Sequence, residues 1–151
     1  MILDERAEFC DATALNTGGA GTYLVGDVMD LTVARDIGQS KQMYMVIQIS
    51  TTATSGGSAT VQFQLASDSV AAIAADGSET IHLITDAIAV ATLVQGFQMI
   101  IPVPMQAGVP YERYIGVEQV TAVAALTAGA INAFLTYDPP ASWTSYADAT
   151  N

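Results

Sequence analysis

The sequence predicts an all-β domain, a sandwich or jelly roll of about eight short antiparallel strands. Three observations predict it. The run from Thr60 to Ala66 alternates strictly, with Val61, Phe63 and Leu65 on one face and Gln62 and Gln64 on the other, as successive side chains of a half-buried strand must. Runs rich in β-branched and apolar residues recur along the chain, separated by clusters of Gly, Pro, Asn, Asp and Ser. Helical patterning is confined to one stretch, from Asp68 to Ala75. That stretch is shorter than the roughly 12–15 residues an isolated helix needs, so a turn or two capped by Asp68 and a plain loop are equally open there.

Taken in order, the chain opens with Leu3, Phe9 and Leu15 spaced among Asp4, Glu5, Glu8 and Asp11, followed by the turn-prone Asn16 to Gly21. Residues 1–21 read as an extended N-terminal arm that joins a sheet late, a reading compatible with their supplying its first strands. Short β-runs follow at 22–25 and 28–33, then a polar loop at 35–40. The run 43–50 and the run 60–66, joined by Thr51 to Ser58 with its Gly56-Gly57 pair, read as an antiparallel hairpin with a longer loop. Asp76-Gly77-Ser78 is a turn, 79–85 a strand, and 93–103 another, with Phe97, Met99, Ile101 and Val103 on one face and Pro102 and Pro104 marking an edge or an end. Residues 113–126 read as one long bent strand. The last strand, 130–137, is stopped by Asp138-Pro139-Pro140, which leaves 138–151 as a C-terminal tail. At 151 residues all of this is expected to form a single domain.

Composition bounds the partners. Net charge is −11, with Arg6, Arg35, Lys41 and Arg113 the only basic side chains besides one histidine. Binding to nucleic acid requires clustered Lys and Arg, so neither nucleic acid nor an anionic membrane is an expected partner. The most apolar stretch, 120–131, is too short and too interrupted for a membrane span, which needs about 20 apolar residues. The acidic opening, Met1 to Glu8, lacks the basic and then apolar pattern of an export signal. A lone cysteine, Cys10, fits synthesis in a reducing cytoplasm. Charged residues make up 13% of the chain against about a quarter ordinarily. A surface this poor in charge fits extensive protein contacts as well as it fits an ordinary acidic β domain.

No catalytic residue, cofactor or metal site is expected. Cys10 and His82 are the chain's only cysteine and histidine, and neither sits in a nucleophile signature. The paired acids Asp27/Asp30, Asp76/Glu79 and Asp4/Glu5 have the look of solvated turn residues, and none extends into a calcium-binding loop. Zinc fails on ligand count, and Gly18-Gly19-Ala20-Gly21 lacks the lysine and helix of a phosphate loop. Trp143 and Tyr146, with Tyr111 and Tyr114, offer a sugar-stacking surface. As aromatics beyond a Pro-Pro stop, Trp143 and Tyr146 fit better as anchors to a protein surface.

Several stretches resemble the cement, or decoration, proteins of tailed-phage heads, of the jelly-roll type found in short-tailed phages. They are Met1 to Glu5 with Phe9 to Ala12, Thr22 to Asp27, Val61 to Asp68, Pro110 to Val117, and Ala133 to Pro139. The resemblance runs over nearly the whole chain. It implies a jelly-roll fold and a non-enzymatic structural virion protein without cofactor. Such a protein sits as an oligomer, commonly a homodimer, on the outer capsid surface, where it locks neighbouring major capsid proteins together. The alternative is a carbohydrate-binding β-sandwich of a phage tail or fibre. The family has no signature of contact residues to carry over. The side chains expected at a capsid or subunit interface are therefore those that position suggests: Leu3 and Phe9 in the arm, Trp143 and Tyr146 in the tail.

Overall fold

The structure is a computed structural model that describes residues 4–38, 41–105 and 110–139. Nine strands are described: β1 (Glu8–Ala14), β2 (Gly21–Asp30), β3 (Tyr44–Ser55), β4 (Thr60–Asp68), β5 (Thr80–Ile84), β6 (Ile88–Ala89), β7 (Gln98–Pro102), β8 (Tyr114–Ala122) and β9 (Leu126–Thr136). Helical turns among the described residues are limited to two short 3-10 segments, Glu5–Ala7 and Val90–Thr92. No described helix is long and apolar enough to cross a membrane.

Every pairing is antiparallel. One sheet has the order β1-β9-β3-β7, the other β2-β8-β4-β5, with β6 beside β4. First pairs with last, second with second-last, and so inward to β4 with β5: the chain is one long antiparallel ribbon rolled into two layers. That is a jelly roll, and the all-β fold class is as the sequence predicts.

Partition between the sheets overturns the central hairpin. β3 and β4 do not pair; they lie in different sheets, and Gly56 to Ala59 carries the chain across the gap. The apolar face was read correctly, since Val61, Phe63 and Leu65 are all fully buried, but the opposite face is covered too, with Gln64 only 3% exposed, and alternation does not say which strand lies alongside. The runs at 22–25 and 28–33 are one strand, β2, with a register shift between Val25 and Met29 and with Gly26 at φ +75°. A Cβ on Gly26 would lie 2.3 Å from the Phe9 carbonyl oxygen, so glycine alone fits this crossing. The bent strand of 113–126 is β8 followed by a corner into β9, which starts at Leu126. Only Gln98–Pro102 of the stretch 93–103 is strand. The segment after Asp68 is loop, opened by the Asp68 carboxylate accepting from the Val70 N–H.

The N-terminal arm is the larger correction. Strand β1 pairs along β9, and Phe9, Cys10 and Leu15 belong to the hydrophobic core. Phe9 is 1% exposed; it is a core side chain and presents nothing to a partner. Its neighbours in sequence are acids because they point outward from an edge strand, a pattern that also fits an arm. Leu3, Trp143 and Tyr146 lie outside the described residues, as does the tail beyond residue 139.

Candidate functional site

The chain's only cysteine and histidine are on opposite sides of the sandwich. Cys10 is in edge strand β1 of one sheet, His82 in edge strand β5 of the other. The Cys10 thiol reaches the Ile131 carbonyl at 3.7 Å, and burial pushes its pKa up to about 12. A thiol held protonated in this way is a poor nucleophile.

His82 has a partner that sequence spacing did not indicate. Its Nε2 lies 2.7 Å from Ser67 Oγ, which also accepts the Glu112 N–H at 3.1 Å. The imidazole packs 3.9 Å from the ring of Tyr111. A serine beside a histidine is the geometry of an activated nucleophile, yet Ser67 is fully buried, so the hydroxyl has no face open to a substrate. What the pair does is tie β4, β5 and the segment before β8 together. The signal was legible only as the polar Ser67 continuing the apolar face of Val61, Phe63 and Leu65.

Each acid pair has at least one member held by hydrogen bonds. Arg113 donates from Nε and Nη2 to the two Asp30 oxygens at 2.9 and 2.8 Å, which draws the Asp30 pKa down to about 2. Hydrogen bonding from the Ser78 hydroxyl first, and from the Ser78 N–H second, lowers the Asp76 pKa. Glu79 accepts from Gly77, and Asp4 from Arg6 at the first 3-10 turn. Glu118 was not anticipated at all. It is 0% exposed on the outer face of the second sheet and accepts from Gln64 Nε2 at 2.6 Å through one oxygen, while the other finds no partner. Burial, with Glu79 adding like charge, raises its pKa. Among the described residues no cluster of three or more His, Cys, Asp or Glu is placed to hold a metal ion.

The two sides of the sandwich differ in a way that bears on assembly. An edge strand exposes unpaired N–H and C=O groups, and proteins guard such edges with bulges and charge. The β1/β2 side is guarded. Strand β1 carries two register shifts and Ala12 at φ +45°, β2 carries the Gly26 shift, and Glu8, Asp11 and Asp27 line the margin. Burial and the neighbouring Asp11 and Glu5 carboxylates raise the Glu8 pKa, a mark of how closely acid is packed there.

The β5/β7 side is guarded less: β5 has a single register shift against β4, and β7 ends on Pro102. Strand β7 keeps unbroken register with β3 until Pro102 and carries no charge. Ile81 and Ile84 on β5 and Ile100 on β7 are exposed. Between these edges runs a groove of about 480 Å³, lined by Ile84, Ile88, Phe97, Met99 and Ile100, with Asp86 its one acid. Tyr111 and Tyr114 contribute no open aromatic shelf: Tyr111 is core, and Tyr114 lies beneath the Arg113 guanidinium.

Comparison with known proteins gives one result on this architecture. The family model Bbp16, a phage-related family, matches residues 9–135, from the first core side chain of β1 to the last of β9. No curated protein matches the chain.

Proposed function

We propose, on the premise that this chain belongs to the Bbp16 family, that it is a structural virion protein without enzymatic activity. It binds the outside of the phage head as a cement and holds neighbouring major capsid proteins together. It is made in the host cytoplasm and acts on the capsid's outer surface. The observation that carries this reading is the contrast between edges: one side of the jelly roll has repeated register shifts and several acids, while the other has one register shift, one acid and the exposed Ile81, Ile84 and Ile100. Such an edge favours association, and its apolar groove fits a second copy of the chain in a homodimer. A subunit that grips two or more capsid proteins gains avidity, and one that binds the assembled shell but not its free subunits stabilises the shell by mass action.

The alternative, a carbohydrate-binding tail or fibre module, needs aromatics along an open groove; Tyr111 and Tyr114 are not so placed, Trp143 and Tyr146 lie outside the described residues, and Phe97 is the aromatic that lines the β5/β7 groove. The test mixes the purified protein with heads assembled without it. Expected are co-sedimentation at a fixed ratio to the major capsid protein and a higher temperature of head disruption. Heads that neither bind the protein nor gain resistance would sink the reading.

A further inference from the structure

Met45, Ile47 and Ile49 of β3 and Ile131, Ala133 and Leu135 of β9 belong to the core. Alternation therefore turns Val46, Gln48 and Phe134 away from it, with Val46 and Phe134 side by side in the register of the two strands. On an uncovered sheet such outward side chains keep their tips in water. Here Val46 is 0% exposed, Gln48 1% and Phe134 1%, and neither Val46 nor Phe134 is part of the core cluster. Burial fades toward both edges of the sheet: in the same row Glu8 on β1 is half-buried and Ile100 on β7 is exposed. A cover therefore lies across the middle of this face, over β9 and β3. The described connections go elsewhere. Leu31, Leu93 and Tyr111 bring theirs against the core, and Ile73 lies on the other sheet against Gly116. The polar bonds of the face stay within it: Gln48 Nε2 donates to Gln98 Oε1 at 3.0 Å, and Asn132 Oδ1 accepts from the Ala12 N–H at 2.7 Å. Gln48 Oε1 has no hydrogen-bond partner among the described residues. All of this burial is found in a single chain, so the cover belongs to that chain and not to a second copy.

We infer that the cover is the chain's own C-terminal tail, 140–151, laid back over this sheet with Trp143 on Val46 and Phe134. Length selects it. Twelve residues span up to about 40 Å when extended, and Phe134 lies only five residues before Pro139. The other segments outside the described residues are 1–3, 39–40 and 106–109, none of which contains an aromatic side chain. Residues 1–3 reach about 10 Å from Asp4, which lies at the 135–137 end of β9, short of the row that holds Gln48 and Asn132. The base of 106–109 is pinned where Tyr111 Oη donates to the Pro104 carbonyl at 2.8 Å. The exit from β9 agrees. Asp138 N–H donates to Thr136 Oγ1 at 3.1 Å, and Thr136 shares the outward parity of Phe134, so this bond turns the departing chain toward the buried face. So does the chemistry of the tail. A tryptophan buries roughly 150–250 Å², its indole N–H is a donor of the kind Gln48 Oε1 lacks, and the tail has one charged side chain, Asp148. The inference stands apart from the cement reading, and it places Trp143 on its own chain in place of the capsid.

Trp143 is the chain's only tryptophan, so its fluorescence reports on the tail without a label. Acrylamide should quench it at least about threefold more slowly in the native protein than in the urea-unfolded chain, as befits a buried indole, and dilution should not change this. Phe134→Ala removes the ring beneath the indole and should raise native quenching by about twofold or more, while thermal unfolding stays cooperative. Should that variant not fold, Val46→Ala empties the adjoining part of the same seat and is read in the same way. Deleting residues 140–151 should lower the unfolding temperature by about 5 °C or more, whereas deleting residues 1–3 should change neither that temperature nor the quenching. Native quenching as fast as in the unfolded chain puts Trp143 in water and overturns the inference. Shielding that is lost on dilution assigns the cover to a second copy, and shielding that survives Phe134→Ala or its substitute seats the indole elsewhere. Loss of stability confined to the 1–3 deletion makes the amino terminus the cover. Each of these results overturns it, and none of them bears on whether the protein binds heads.

Discussion

Glu118 is the residue whose chemistry the fold alters most. It lies in row with Leu24 on β2 and Gln64 on β4, and the loop after β4 folds back over the same face, with Ile73 against Gly116. Covered in this way, the carboxyl has its pKa raised by burial first and by Glu79 second. The sign of the pH effect follows. A carboxyl whose folded pKa exceeds its unfolded value favours the fold while protonated; that contribution is complete below the unfolded pKa and is lost as pH rises through the folded one. Glu118→Gln keeps an acceptor for Gln64 and removes the charge. Urea unfolding at pH 5 and pH 8 should therefore show the variant gaining on the unaltered protein as pH rises. An advantage that is flat with pH, or that grows toward acid, would contradict this. Asp30 titrates in the opposite sense: its pKa of about 2 is held down by Arg113, so its contribution is lost only in strong acid.

Among elements, β1 carries the sharpest consequence. Phe9 sits in the core among side chains of both sheets, and Leu15 N–H donates to the Gly129 carbonyl at the strand's far end. Phe9→Ala should cost about 3–5 kcal/mol, the range for emptying a buried phenylalanine site, read from chemical denaturation of the isolated protein. An arm that merely reached over a neighbour would leave that stability unchanged, so a loss under about 1 kcal/mol would restore the arm. The acids of the first strand mislead because Glu8 and Asp11 lie on an edge, where half the environment is water. Local composition there is the same for an edge strand and for a free segment.

At the scale of the molecule, the β5/β7 side is the feature that bears on assembly, with Ile84 and Ile100 exposed along its groove. Ile84→Lys with Ile100→Lys puts two cations into that groove at positions already exposed, so folding should survive. Light scattering at micromolar concentration should then give a mass near 15.7 kDa for the variant and about twice that for the unaltered protein. Equal masses for the two would remove the groove from the dimer interface.

The sequence by itself determined the β class, the buried face of β4 and the turn at Asp76 to Ser78. Each of these is written in contiguous residues, as period-two alternation or as turn chemistry. Tertiary structure alone decided that β3 and β4 part into different sheets, that Phe9 is core, that Ser67 finds His82, and that Glu118 is sealed under a returning loop. The physical reason is common to all four. Alternation marks the apolar face of a strand, whereas the identity of the neighbouring strand, and of whatever covers the other face, is set by pairings between residues as far apart as Glu8 and Phe134. Closing the ribbon into a roll makes those pairings together, and no window of the chain contains them.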